Sequence, residues 1–165
     1  MGQRLAVCAV ARELGALMAV SLKTVRQRVV TAIAGGTGLN AWREASDPYD
    51  QFGAGGDGEN RLHQSFAVGV PTSSTMGKDR QRVADGTLSE TRVGVRWSCN
   101  VAALNQVGSY DGGLDAEALI LAAVMTIQRS EDMSIVYVTS SRSVDSEGWM
   151  SGELVFTARH QLPLV

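Results

Sequence analysis

The run Ser134–Gln161, SIVYVTSSRSVDSEGWMSGELVFTARHQ, decides the fold class of this chain. Ser134–Ser143 and Gly148–Gln161 are rich in β-branched and aromatic residues, and Asp145-Ser146-Glu147-Gly148 between them is a cluster of turn formers. In the second stretch Leu154, Phe156 and Ala158 oppose Glu153, Val155, Thr157 and Arg159. A period of two puts alternate side chains on opposite sides of a sheet, so the reading is a long β-hairpin. Trp149 stands at its turn, where no core demands an aromatic. It is a candidate subunit contact, with packing at the sheet rim as the alternative.

Upstream, Leu114–Arg129 reads as a helix, with Asp111, Asp115 and Glu117 near its start and Arg129 at its end, as the helix dipole favours. Every residue from Ala118 to Val124 is apolar. Such a helix is expected to be covered on more than one side, by the sheet and by another subunit. Ser89–Cys99 is a strand with Val93, Val95 and Trp97 inward and Arg92, Arg96 and Ser98 outward. Leu62–Val70 is a second, stopped by Pro71, with Leu62, Phe66, Val68 and Val70 on one face and His63, Ser65 and Ala67 on the other. Thr72–Thr87 between them is a polar loop holding Lys78, Arg80 and Arg82, longer than hairpin closure needs.

Ser21 is placed to cap a helix in which Leu22, Val25, Val29, Val30 and Ile33 recur at helical spacing, ended by Gly35 and Gly36 in a left-handed turn. Leu39–Asn60 is loop-like, with a short strand allowed at Leu39–Arg43, and holds Trp42, Asp47, Tyr49, Asp50 and Phe52. The order is α-β-β-α-β-β. It predicts an α+β domain over residues 21–165, a four-stranded, mainly antiparallel sheet of two β-hairpins with helices packed on one face. Residues 1–20 form a separate N-terminal helical arm. Arg12 and Glu13 interrupt its apolar run, which argues against a signal peptide or a membrane span, and Met18 is an alternative start.

The 165 residues carry 15 Lys+Arg against 17 Asp+Glu, a net charge of −2, which argues against a protein that coats nucleic acid or anionic lipid by bulk charge. Two histidines and two cysteines, with no Cys-x-x-Cys, leave no material for a zinc site, and no metal or other cofactor is expected. His63 and His160 are the acid–base candidates, yet no nucleophile motif surrounds either one. Gly35-Gly36-Thr37-Gly38 follows a helix and Gly53–Gly58 precedes a strand, the wrong order for a phosphate cradle. Cys8 and Cys99 read as two small buried thiols. Arg92 and Arg96, joined by Arg159, give the sheet a basic stripe suited to solvent, to a channel or to a neighbouring subunit. Aromatic residues are 5% of the chain, too few for a base-stacking platform.

From Ser21 onward the chain resembles the bacteriophage tail-terminator family, which includes minor tail protein U of lambdoid phages. The likeness rests on His63-Gln64-Ser65-Phe66-Ala67-Val68, Arg80-Gln81-Arg82, Arg92-Val93-Gly94-Val95-Arg96-Trp97, Tyr110-Asp111 and the final hairpin, in the same order after the initial helix. Residues 1–20 depart from the family's compact pattern. The resemblance implies a virion protein at the tail–head junction, made in the host cytoplasm. It would form a homohexameric ring that caps the tail tube, ends tube polymerisation and joins the head connector. DNA would pass non-specifically through the lumen, and no membrane would be involved.

The implied partners are copies of the chain, the tail tube protein and a head-completion or connector protein. Expected contact residues are Asp47, Tyr49, Asp50, Phe52, Arg80, Arg82, Arg92, Arg96, Trp149 and Arg159, with the acidic loop Glu44–Glu59 meeting the basic segment Lys78–Arg96 of a neighbour. The rival readings are a neck or head-completion protein of the same junction, a small cytosolic enzyme using His63 or His160, and a monomeric adaptor that borrows a sheet edge.

Overall fold

The computed structural model describes residues 19–45, 62–75, 82–83, 86–104, 110–129, 132–144 and 146–163. The arm at 1–18, with Cys8 and Met18, and the loop segments 46–61 and 76–81 lie outside the described residues. The elements in chain order are α1 (Leu22–Ala34), β1 (Arg43–Glu44), β2 (Ser65–Val68), β3 (Thr72–Thr75), β4 (Arg82–Val83), β5 (Gly86–Asn100), α2 (Asp111–Met125), β6 (Met133–Val144) and β7 (Trp149–Pro163). A 3-10 turn over Thr126–Arg129 extends α2, so the helix begins earlier and tightens sooner than its sequence pattern predicts.

The α+β class holds, but the sheet is larger than four strands. Its order is β1-β2-β5-β7-β6, with β3 and β4 also paired to β5, seven strands among the described residues. The cause is the length of β5. Its 15 residues run beyond the predicted Ser89–Cys99 at both ends, and its early half offers an edge that β2 does not reach. Thr72–Thr75 fills that edge against Ser89–Arg92, and Arg82–Val83 continues along Gly86–Thr87. The polar loop is therefore partly strand. Among the described residues β1 adds the single parallel pair, Arg43 and Glu44 beside Ser65 and Phe66, while Leu39–Asn40 upstream is not strand.

β2 is four residues long, not nine. Gln64 at φ 53° breaks the extended chain before it, and Gly69 and Pro71 follow it. Leu62 and Val70 therefore fall outside the strand and are exposed, at 54% and 87%, rather than on the buried face.

One side of the sheet is the core. β5 contributes Val93, Val95, Trp97 and Cys99, β7 contributes Met150, Leu154, Phe156 and Ala158, and β6 contributes Met133 and Ile135. The buried faces of α1 (Val25, Val29, Val30, Ile33) and α2 (Ala116, Ile120, Ala123, Val124) lie against them. Burial of such side chains contributes roughly 1.5–3 kcal/mol each and is the main source of stability. Trp97 and Trp42 meet edge to face, ring centres 6.5 Å apart, and Tyr137 meets Phe156 the same way at 6.1 Å.

Local chemistry fixes the helices. The Ser21 hydroxyl accepts the Thr24 N–H at 3.1 Å, as the cap reading predicts. At the other end Gly35 has φ −94°, so the turn there is not left-handed; the left-handed residue is Gly38, at φ 80°. Gly36 serves close approach instead. A Cβ there would stand 2.8 Å from the Leu39 side chain and 3.0 Å from the Ala123 Cβ, so its absence lets α1 and α2 meet. The Arg28 guanidinium donates two hydrogen bonds, at 2.7 and 2.6 Å, to the Asp132 carboxylate and ties α1 to the start of β6. Asp132 raises the Arg28 pKa further, above an already high ordinary value. The Val20 N–H donates to the Gln161 carbonyl at 2.7 Å and fastens the entry of the chain to the end of β7.

Candidate functional site

Alternation along β5 and β7 places the other half of their side chains on the side away from the helices. Glu90 faces Arg159, Arg92 faces Thr157, Arg96 faces Glu153 and Ser98 faces Ser151 in register. The outer neighbours continue the polar texture, with Thr72 and Ser74 on β3 and Ser134, Ser141 and Ser143 on β6. Arg159 Nε donates to Glu90 Oε1 at 2.8 Å, and Arg96 approaches Glu153 at 3.8 Å. Each pair is a third to a half exposed, which limits it to roughly 1 kcal/mol or less. The result is a broad polar surface of hydroxyls and cross-strand ion pairs, with two shallow depressions of 230 Å³ each. One holds Arg92 among Thr72, Ser73 and Ser74; the other lies beside Arg96 and Arg142.

The structure thus brings Arg92, Arg96 and Arg159 onto one face. Trp149 opens β7 on that same face, half-buried and paired with Asn100. Of the other candidate contact residues, Asp47, Tyr49, Asp50, Phe52 and Arg80 lie outside the described residues. Arg82 is placed only as the start of β4, against Thr87.

The histidines do not make one site. His63 precedes β2 instead of lying in a strand, and its Nδ1 accepts the Asn100 N–H at 3.0 Å. His160 pairs in register with Ser89 at the far end of β5. The intervening length of β5 is about 37 Å at 3.4 Å per residue. His160 is buried, its Nε2 2.7 Å from the Thr91 hydroxyl, and neither residue lines a depression described above. This is an internal tie between β5 and β7.

Burial lowers the His160 pKa from its ordinary 6.5, offset in part by the backbone at Gln161 and Val20. His63 is also lowered by burial. A histidine held neutral in the fold binds fewer protons than in the unfolded chain at pH values just below 6.5, so stability falls as pH drops through that window and is full above it. Thermal unfolding at pH 7 and pH 5 is expected to show this slope in the wild type and a smaller one in His160→Gln. Equal slopes would contradict it.

Cys99 is fully buried and its thiol is pushed up to about 11, which leaves it inert. Among the described residues no group of three or more His, Cys, Asp or Glu is arranged to hold a metal ion. No helix among them is long and apolar enough to cross a membrane.

Sequence periodicity missed two features. One is the Glu117–Arg142 ion pair, 3.0 Å, which joins α2 to the end of β6 with the Glu117 side chain only 11% exposed. The spacing of 25 residues across two elements gives no local signal for it. The second is the exposure of Ala118, Leu119 and Ala122, so the all-apolar run of α2 is covered on one side alone among the described residues.

No protein-family model matches the chain, and no curated protein matches it. Among solved structures it is similar to a chain of one described as "Virion of native gene transfer agent (GTA) particle", at 14% identity and a TM-score of 0.48, over 83% of this chain and 94% of that one.

Proposed function

We propose that this chain is a virion structural protein that closes into a ring, caps the end of a phage tail tube and joins it to the head connector, with no bond made or broken. The observation that carries the reading is the open face of β5, β7 and β6. Its cationic groups are interleaved with Glu90, Glu153 and many hydroxyls. Such a surface suits the lumen of a ring through which DNA passes. Unopposed arginines would hold phosphates in proportion to the counterions they release, whereas paired ones release few.

The sequence motifs that resemble tail terminators supply the role, and the α+β fold with its polar open sheet is compatible with it. In this reading the acidic residues Asp47 and Asp50 meet Arg80 and Arg82 of a neighbouring subunit, with Tyr49 and Phe52 packed beside them. The test is tube growth. Purified chain added to polymerising tube protein is expected to arrest elongation at a stoichiometry of one ring per tube end. Reversal of both arginines to Glu is expected to weaken that arrest most at low salt. Unchanged tube lengths at saturating protein would defeat the reading.

A further inference from the structure

Exposed large apolar side chains fall into two groups on the described surface. Tyr137, Val138 and Val144 lie on β6, with Tyr110 and Leu114 at the start of α2, each 37–54% exposed, while Val136 pairs with Thr157 on the polar open face. The ion pair shows why these belong together. Arg142 of β6 holds Glu117, so the flank of α2 that carries Glu117 faces β6. At 3.6 residues per turn, Leu114, Leu121 and Met125 fall within about 80° of Glu117 on that flank. The smaller group is Leu62 and Val70, which bracket β2. Strand order puts β6 at one end of the sheet and β1 beside β2 at the other. Leu119, the remaining exposed large apolar residue, packs over Gly38.

The area decides what the larger group is for. Five side chains at these exposures present about 400 Å² of largely apolar surface, within the range for the largest patch on a monomer. A stable interface buries about 800 Å² per partner, about 60% of it non-polar, so the patch supplies most of the apolar area of one such half. Strand-to-strand pairing does not suit it, because β6 carries an irregularity between Tyr137 and Thr139 and then the polar run Ser140–Ser143. Side-chain packing does.

We infer that the β6/α2 end of one copy packs against the β1/β2 end of the next, head to tail, an inference that rests on the ring reading and names the surfaces that build it. Two different faces at opposite ends of one sheet form a heterologous contact, which closes into a ring when the rotation per subunit permits.

The test uses two variants of exposed residues, Val138→Arg at one end and Val70→Arg at the other, each checked for wild-type folding by circular dichroism. By light scattering, each variant alone is expected to be a single 17.5 kDa chain while the wild type is a ring. An equimolar mixture is expected to give a two-chain species, because one intact pair of faces remains and cannot extend. Rings from either variant alone overturn the inference. A wild type that is a dimer, kept in Val70→Arg and lost in Val138→Arg, overturns it in favour of a two-fold contact between β6 strands. Monomers in the mixture, beside wild-type rings, overturn it too. A wild type that is monomeric at all concentrations fails the ring reading itself, and this inference with it.

Discussion

Trp97→Ala is expected to lower the unfolding free energy by about 4 kcal/mol, read by denaturant titration, while Trp97→Phe lowers it by about 1 kcal/mol or less. Trp97 is among the largest side chains in the core and is fully buried three residues before the end of β5. It stacks edge to face on Trp42, and its ring lies directly beneath Gly152 on β7. Truncation leaves a void that the paired strands cannot collapse to fill. The asymmetry between the two variants comes from the ring that Phe retains, since both remove the indole N–H, which is buried and has no hydrogen-bond partner among the described residues. Phe keeps most of the packing and removes a desolvated donor that contributes nothing. A Trp97→Phe loss comparable to that of Trp97→Ala would show that the N–H is bonded and the packing account wrong.

Gly152→Val is expected to cost about 3 kcal/mol, the upper end for overpacking, and to lower Tm by roughly 10 °C. The position offers no room on either side. A Cβ there would stand 2.8 Å from the Ser141 carbonyl oxygen, part of the neighbouring backbone, and 2.8 Å from two ring atoms of Trp97. Neither neighbour is the free end of a flexible chain. Gly148 at the β6–β7 turn sets the contrast, since no atom lies within 4 Å of its added Cβ and only its φ of 81° restrains it. Gly148→Ala is therefore a matter of backbone strain, about 1 kcal/mol. A Gly152→Val protein as stable as the wild type would mean that β7 does not sit against Trp97 as described.

These two positions also mark how far the sequence is legible. The hairpin β6–β7, the inward row Val93, Val95, Trp97 and the Ser21 cap follow from local chemistry, because period-two alternation and capping act within a few residues. Trp97 reads as inward from alternation alone. That Gly152 must stay small does not, because its constraint comes from a residue 55 positions away in the chain. The same limit hid β3 and β4. Thr72-Ser73-Ser74-Thr75 has no apolar member, so its strand character derives from the unpaired edge of β5 and not from its own composition.

For the candidate site, Arg92, Arg96 and Arg159 were readable as one face because strand parity survives across neighbouring strands. Their partners Glu90 and Glu153 needed the register. The apolar β6/α2 end was concealed by the expectation that an all-apolar helix is covered on more than one side, whereas within the single chain α2 buries one side and leaves Leu114 and Leu119 exposed.

The proposed role of the chain is to match its own copies and a filament end. Electron microscopy of purified chain mixed with the proposed tail tube partner tests this most directly. Closed rings free in solution, and the same rings seated at one end of tubes of limited length, are the predicted images. Single particles of one chain's size at high concentration, beside tubes whose ends are bare, would contradict the account.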